Sequence, residues 1–270
     1  MRNWEGTITA FFLHLRFQNL LMAIYQDILQ QSGSGKKQLA VLVDPDKLLN
    51  KDVENVASQA ARSGVDYFFV GGSLLVNNEF DQCIKTLKAN SEIPVILFPG
   101  NTMQMSWKAD AILFLSLISG RNAEMLIGRH VIAAPHLKMS PLEVISCGYM
   151  LIESGKSTAG QYMSNTVPIP SDKLDIAICT AMAGEMLGLK LMYLEAGSGA
   201  QQCVPLEMIR QVKDNINIPL ITGGGIRTPE SASAAATAGA DIVVVGTAFE
   251  KNSGLIAEIA DAVHLAAKNK

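Results

Sequence analysis

Charge is scarce in this 270-residue chain. Only 17% of its residues are charged and 49% are apolar, against about 25% charged in an average soluble protein. Disorder requires the opposite balance and is excluded. The 22 basic and 25 acidic residues leave a net charge of −3, and no basic tract stands out, which argues against nucleic-acid binding. Cys83, Cys147, Cys179 and Cys203 form no CxxC pair, so neither a zinc site nor a disulfide framework is indicated. They read as buried core thiols in a reducing cytoplasm. His14, His130, His136 and His264 lack metal-ligand spacing and read as structural or surface residues. No uninterrupted apolar run approaches the ~20 residues that span a bilayer. The stretch from Ile8 to Leu15 is broken by Thr9 and His14 and makes a poor signal peptide. Residues 1–21 are expected to be an N-terminal extension, with the ordinary chain starting at Met22. Internal repeats and low-complexity tracts are also missing.

What is present is a regular alternation. Apolar runs at Gln38–Val43, Asp66–Val70, Pro94–Phe98, Ala111–Leu115, Gly148–Ile152, Leu191–Leu194, Pro219–Thr222 and Asp241–Val245 read as eight strands. Amphipathic stretches such as Lys51–Arg62, Ser171–Leu187, Pro205–Asn215, Thr228–Ala238 and Gly254–Ala267 read as helices between or after them. Continuous rather than alternating hydrophobicity marks strands covered on both faces, hence a parallel sheet. Eight such units without a composition break predict an α/β fold, a single (β/α)8 TIM barrel spanning residues 22–270. One domain per ~150 residues would suggest two, but α/β barrels run to ~200–250 residues as one unit. Between Phe98 and Ala111 there is room for little more than a loop, so the third helix is expected to be missing or replaced by a loop.

Barrel enzymes keep their chemistry at the carboxyl ends of the strands, where the polar and glycine-rich clusters fall. Gly197-Ser198-Gly199, Gly224-Gly225 and Gly246-Thr247 follow strands six, seven and eight. Glycines let backbone N–H groups close around phosphate oxygens. The competing reading of any one pair is a tight turn; three on adjacent strands favour a phosphate site. Asp44, with Ser73 at the end of strand two, offers a hard donor for Mg²⁺, while an Asx turn with a solvated Lys47 is the plainer alternative. Lys47 could also help hold a diphosphate. Glu195 is placed to serve as a general base toward a hydroxyl or to form a buried ion pair. Tyr193, two residues earlier, faces the same way. Strand six carries no lysine, which counts against a Schiff-base aldolase.

Asp44-Pro45-Asp46-Lys47, Gly71-Gly72-Ser73, the Tyr162–Thr166 stretch leading to Pro168-Ile169-Pro170, Tyr193-Leu194-Glu195-Ala196-Gly197-Ser198-Gly199-Ala200, Gly223–Arg227 and Val245-Gly246-Thr247 together resemble the geranylgeranylglyceryl phosphate synthase family, in its larger-subunit bacterial and archaeal branch. The resemblance runs from about residue 22 to the C-terminus. It implies a prenyltransferase joining sn-glycerol 1-phosphate to geranylgeranyl diphosphate or a longer polyprenyl diphosphate. Asp44 and Ser73 would hold Mg²⁺. Tyr193, Leu194, Glu195, Ala196, Gly197, Ser198, Gly199, Gly224, Gly225, Gly246 and Thr247 would bind the glycerol phosphate, with Glu195 and Tyr193 at the reacting hydroxyl. It further implies a homo-oligomer, dimer or hexamer, in the cytoplasm, with contact at the inner membrane face. The prenyl tail is expected in an apolar groove near Phe98–Trp107. Two other readings stay open: a barrel acting on a sugar phosphate, and a non-catalytic barrel that binds glycerol phosphate.

Overall fold

The computed structural model describes residues 23–48, 50–246 and 254–266; the expected extension at 1–21 lies outside them. Eight parallel strands close into a barrel in sequence order: β1 (Gln38–Val43), β2 (Tyr67–Val70), β3 (Val95–Leu97), β4 (Ala111–Leu117), β5 (Glu143–Leu151), β6 (Leu191–Glu195), β7 (Leu220–Gly223) and β8 (Ile242–Val245). Pairing of β1 with β8, from Gln38↔Ile242 to Val41↔Val245, seals the ring. The described helices are α1 (Ala23–Ser34), α2 (Asn50–Arg62), α3 (Phe80–Asn90), α4 (Arg129–Met139), α5 (Ala159–Ser164), α6 (Leu174–Met186), α7 (Leu206–Asp214), α8 (Pro229–Ala238) and α9 (Leu255–His264). A π-helical turn, Glu124–Gly128, runs directly into α4. Strand β5 starts five residues earlier than the apolar run suggested, because Glu143 and Ser146 interrupt the hydrophobicity without interrupting the ladder.

The strands are buried on both faces, so two apolar layers result. Tyr67, Phe69, Ile96, Leu113, Ile145, Tyr193 and Ile221 fill the barrel interior, while Phe68, Leu97, Ile112, Leu194 and Val243 pack outward against the helices. Helix α1 crosses the amino-terminal mouth and sends Ile28, fully buried, into the interior cluster. Such burial contributes about 1.5–3 kcal/mol. The free N–H groups of its first turn, at Ile24 and Tyr25, are met at 2.9 and 3.1 Å by the Glu143 carboxylate. This end of the barrel is a stopper, which leaves the other end for chemistry.

The expected gap is present: no helix lies between β3 and β4. Strand β3 is three residues long, and its pairing with β4 stops at Leu97↔Ile112. From Leu113 to Leu117, β4 pairs only with β5. The barrel wall is therefore split at its carboxyl end, between the short strand and the long one.

Candidate active site

At the open mouth, a cavity of about 1280 Å³, the more polar of two that meet there, is lined by the loops after β1, β2, β6, β7 and β8. It brings together Asp44, Ser73, Tyr193, Glu195, Gly197, Ser198, Gly199, Gly224, Gly225 and Gly246. Leu194 and Ala196, also expected to bind substrate, are buried and point into the outer apolar layer instead. The alternation of a strand puts them on the face opposite Tyr193 and Glu195, so they support the cradle without lining it. Thr247 lies outside the described residues.

The cradle itself comes from β6 and β7. Gly224 has φ 83°, a conformation open to glycine at little cost, and a β-carbon there would lie 2.5 Å from Glu195 Oε1 and 2.6 Å from the Gly197 nitrogen. The β7 loop thus lies directly against Gly197 and the Glu195 carboxylate, an approach that only glycine permits. Arg227, in the same loop, lines the cavity and donates to the Ala200 carbonyl at 2.5 Å. Pro229 opens α8, and the Thr228 and Ser231 side chains cap each other's backbone N–H. The loop thus brings one guanidinium to the rim of the cavity, a group suited to an anion.

Glu195 is 5% exposed. Its Oε1 accepts a 2.5 Å hydrogen bond from the Gly197 N–H, and no cation pairs with it among the described residues. The buried ion pair is thereby ruled out for those residues. Burial raises its pKa above 4.5, only partly offset by Tyr193 and the Gly197 N–H. A carboxylate so placed holds a proton more readily than one in water. Below it the Tyr193 hydroxyl is buried without a partner at good hydrogen-bond geometry. Desolvation, then the charge of Glu195, pushes this phenol well above its ordinary value, so it remains protonated. Tyr193 stacks on Phe98 with centroids 5.4 Å apart, and Tyr149 meets both rings edge-on at 5.4 and 5.8 Å.

Asp44 makes the Asx turn that its sequence context allowed, with Oδ1 accepting from the Asp46 N–H at 3.2 Å. It also faces the cavity, where Lys47 Nζ approaches Oδ2 to 3.0 Å. Lys47 reaches Ser198 Oγ at 3.5 Å and so ties the first loop to the sixth. Among the described residues, no group of three or more His, Cys, Asp or Glu side chains gathers to hold a metal. One carboxylate and one hydroxyl do not make a protein cage. They do suit Mg²⁺, which takes one or two carboxylates and completes its shell with water and substrate phosphates.

A second cavity, of about 940 Å³ and mostly apolar, enters through the split in the wall. It shares Gly72, Ser73, Phe98, Tyr149 and Gly160 with the polar one. Its floor is β4 from Ile112 to Leu117, and its far side is α4, through Arg129, His130, Ala133 and Leu137. Trp107 was expected in its wall but stands outside the lining, 54% exposed. The loop that replaces the missing helix folds Met105 inward and Trp107 outward. His130 is buried rather than superficial: its Nε2 lies 3.2 Å from Ser116 Oγ, and its ring stands edge-on to Phe114 at 4.3 Å. Burial lowers its pKa, so a neutral ring faces the apolar space. His136, His264 and the four cysteines line neither cavity, and His14 lies outside the described residues. Cys83 and Cys147 are core thiols as expected, Cys203 is half-buried, and Cys179 is exposed on α6, contrary to expectation. Tyr149 and Gly160 were not singled out from the sequence, whereas Phe98, expected at one end of the groove, does line it. Arg227 carried a signal only as the last residue of the Gly223–Arg227 motif.

Residues 34–264 match the model of the PcrB family. Over 244 residues the chain is 52% identical to the geranylgeranylglyceryl phosphate synthase of Chitinophaga pinensis, covering 90% of this chain and 97% of that protein. The geranylgeranylglyceryl phosphate synthase of Methanothermobacter marburgensis is 43% identical over 239 residues, with 88% and 95% covered. The structure superposes with a TM-score of 0.84 on the crystal structure of (S)-3-O-geranylgeranylglyceryl phosphate synthase from Thermoplasma acidophilum in complex with its substrate sn-glycerol-1-phosphate. Those two chains are 35% identical, and the match covers 90% of this chain and 99% of the other.

Proposed function

This chain belongs to the PcrB family, and from that premise and its two joined cavities we propose that it is a prenyltransferase. It joins the C3 hydroxyl of sn-glycerol 1-phosphate to geranylgeranyl diphosphate or a longer polyprenyl diphosphate, releasing diphosphate and forming an ether-lipid precursor. The observation that carries this reading is the junction. A phosphate cradle opens through Gly72, Ser73, Phe98, Tyr149 and Gly160 into an apolar cavity. A barrel acting on a sugar phosphate has no use for the second cavity. A barrel that only binds glycerol phosphate has no use for a buried carboxylate with a raised pKa.

In this reading the loops after β6, β7 and β8 hold the phosphate, with Arg227 beside them. Glu195 then stands at the glycerol hydroxyl and accepts its proton. The donor lays its tail along β4 and α4, with its diphosphate at Ser73, Asp44 and Lys47. The C1–O bond of the donor breaks, diphosphate leaves with the electron pair, and the glycerol oxygen forms the new bond to C1. Positive charge that develops on the allylic carbons is met by the faces of Phe98, Tyr149 and Tyr193. Asp44 and Ser73 would hold Mg²⁺, which when bound neutralises charge on the leaving diphosphate. Holding both substrates at one junction turns a two-body encounter into a positioned one.

The reading extends to a cytoplasmic homo-oligomer in contact with the inner membrane face, where substrate and product reside. Ile127, Val131, Ile132 and Met139, on the π turn and α4, are each 60% or more exposed and offer an apolar face for self-association. The described residues contain no helix long and apolar enough to cross a membrane.

The test is direct. Purified protein, Mg²⁺, sn-glycerol 1-phosphate and labelled geranylgeranyl diphosphate are expected to yield an organic-extractable ether phosphate. Absence of product, with sn-glycerol 3-phosphate equally inactive, overturns the reading.

A further inference from the structure

The geometry points to Gln104 as a positioning residue for the diphosphate end of the site, acting on the prenyl donor and its metal and not on the glycerol phosphate. The inference rests on the prenyl-transfer reading for the identity of those ligands.

The β2–β3 ladder ends where Phe98 N–H donates to the Val70 carbonyl at 2.9 Å. Beyond that point Gly71–Ser73 and Pro99–Gly100 run on side by side with no strand pairing. The missing helix leaves nothing regular to hold them. Gln104 stands in for the absent ladder. Its Nε2 donates to the Gly72 carbonyl at 2.8 Å, and its Oε1 accepts from the N–H of Gly72 at 3.2 Å and of Gly100 at 3.1 Å. One carboxamide thus makes three bonds to two loops, as a peptide group between strands would. The side chain is 1% exposed, and its removal takes the protein partner from three backbone polar groups at once.

Contact carries the effect onward. A β-carbon at Gly100 would lie 2.2 Å from the Gly72 carbonyl oxygen, and one at Gly72 would lie 3.2 Å from Asp44 Oδ1. Gly72 is therefore wedged between Gln104 and the Asp44 carboxylate. Any shift of its backbone moves Ser73, which lines both cavities, and presses on Asp44. The phosphate cradle hangs from β6 and β7 on the other side of the mouth and makes no hydrogen bond to Gln104.

The experiment uses the full-length protein and calorimetric binding of two probes: an unreactive geranylgeranyl thiolodiphosphate with Mg²⁺, and sn-glycerol 1-phosphate. Gln104→Met keeps length and apolar volume but loses all three bonds. It is expected to weaken thiolodiphosphate binding about tenfold or more while the glycerol phosphate Kd stays within about twofold. Gln104→Glu provides the rescue. Protonated, its carboxyl can donate to the Gly72 carbonyl and accept from both N–H groups; ionised, it faces that carbonyl with a negative charge. Donor binding by Gln104→Glu, relative to wild type at each pH, is expected to recover as pH falls, and that of Gln104→Met to stay flat. Asp44 beyond Gly72, Lys47 on Asp44, and Arg129, which donates to the Gly100 carbonyl, are common to all three proteins, so the wild-type ratio cancels their titration. Equal loss of both probes, or loss of neither, overturns the assignment, as does a Gln104→Glu ratio indifferent to pH. Should Gln104→Met not fold, the Gln104→Glu series decides alone. Wild-type protein that binds no thiolodiphosphate overturns the prenyl-transfer reading and the assignment with it, a result distinct from wild-type binding with unaffected variants.

Discussion

Glu195 sits where a charge is expensive. It is nearly fully buried, has one backbone N–H for company and no cation among the described residues. Its raised pKa means that the folded state binds its proton more tightly than the unfolded chain does. The stability it permits is therefore greatest in acid, falls as pH rises from 4.5 through the raised value, and stays lower above it. Glu143, also raised by burial, acts in the same direction. Replacing Glu195 by Gln removes that charge and keeps an oxygen for the Gly197 N–H. The expected outcome is a loss of transferase activity of about 10²–10⁴-fold together with a gain of about 1 kcal/mol, or ~2–4 °C in Tm. Thermal melts at neutral pH and the product assay read the two effects separately. A variant that is both inactive and less stable would contradict this account.

In the prenyl-transfer reading, the split between β3 and β4 is the element on which the donor side depends. A strand of three residues next to one of seven leaves the upper part of β4 unpaired on that side, and the missing helix leaves it uncovered. Helix α4 closes the space from outside, with Ala133 buried at the cavity wall. Filling that space with Ala133→Phe is expected to reduce kcat/KM for geranylgeranyl diphosphate by about tenfold or more, since the ring takes volume the tail needs and even one methylene in an apolar pocket is worth ~1–3 kcal/mol. Dimethylallyl diphosphate, with one isoprene unit, is expected to react as before. Trp107→Ala, at a residue the sequence placed in the groove, is expected to leave the chain-length profile unchanged. A steady-state series over donors of increasing length distinguishes the two, and uniform loss across all lengths in Ala133→Phe would argue against a tail in this cavity. Alternation and punctuation made the barrel legible, and the short segment from Pro99 to Asp110 made the missing helix legible too. Which side chains of that segment turn inward was not, because a loop has no period from which to read a face.

At the scale of the whole molecule, the low charge and the mean hydropathy of +0.22 divide between two apolar layers of core, an apolar cavity and an exposed face on α4. The last of these carries a prediction. Light scattering behind size exclusion is expected to give a dimer or a larger assembly, and Val131→Asp with Ile132→Asp is expected to shift it toward the monomer, because a charge in an apolar interface is strongly disfavoured. A wild-type monomer at micromolar concentration would leave the lipid surface as the partner of that face.

The architecture, and which strand-end residues gather at one mouth of the barrel, were legible in the sequence alone. Hydrophobic runs at strand length fixed the parallel strands, and residues at strand ends are carried to one rim by the topology of the barrel. Asp44, Ser73, Glu195 and the glycine loops could thus be assigned to one place without coordinates. Tertiary structure decided what lies between strands rather than along one. Leu194 and Ala196 share a motif with Glu195 but face away from it. Phe98 and Tyr149, from different strands, meet Tyr193 in an aromatic junction. Gln104 looks like any loop glutamine until its carboxamide is found between two glycine backbones. The physical reason is range: periodicity and turn chemistry are local, whereas a split wall, an aromatic junction and a hydrogen-bond staple are contacts between segments far apart in the chain.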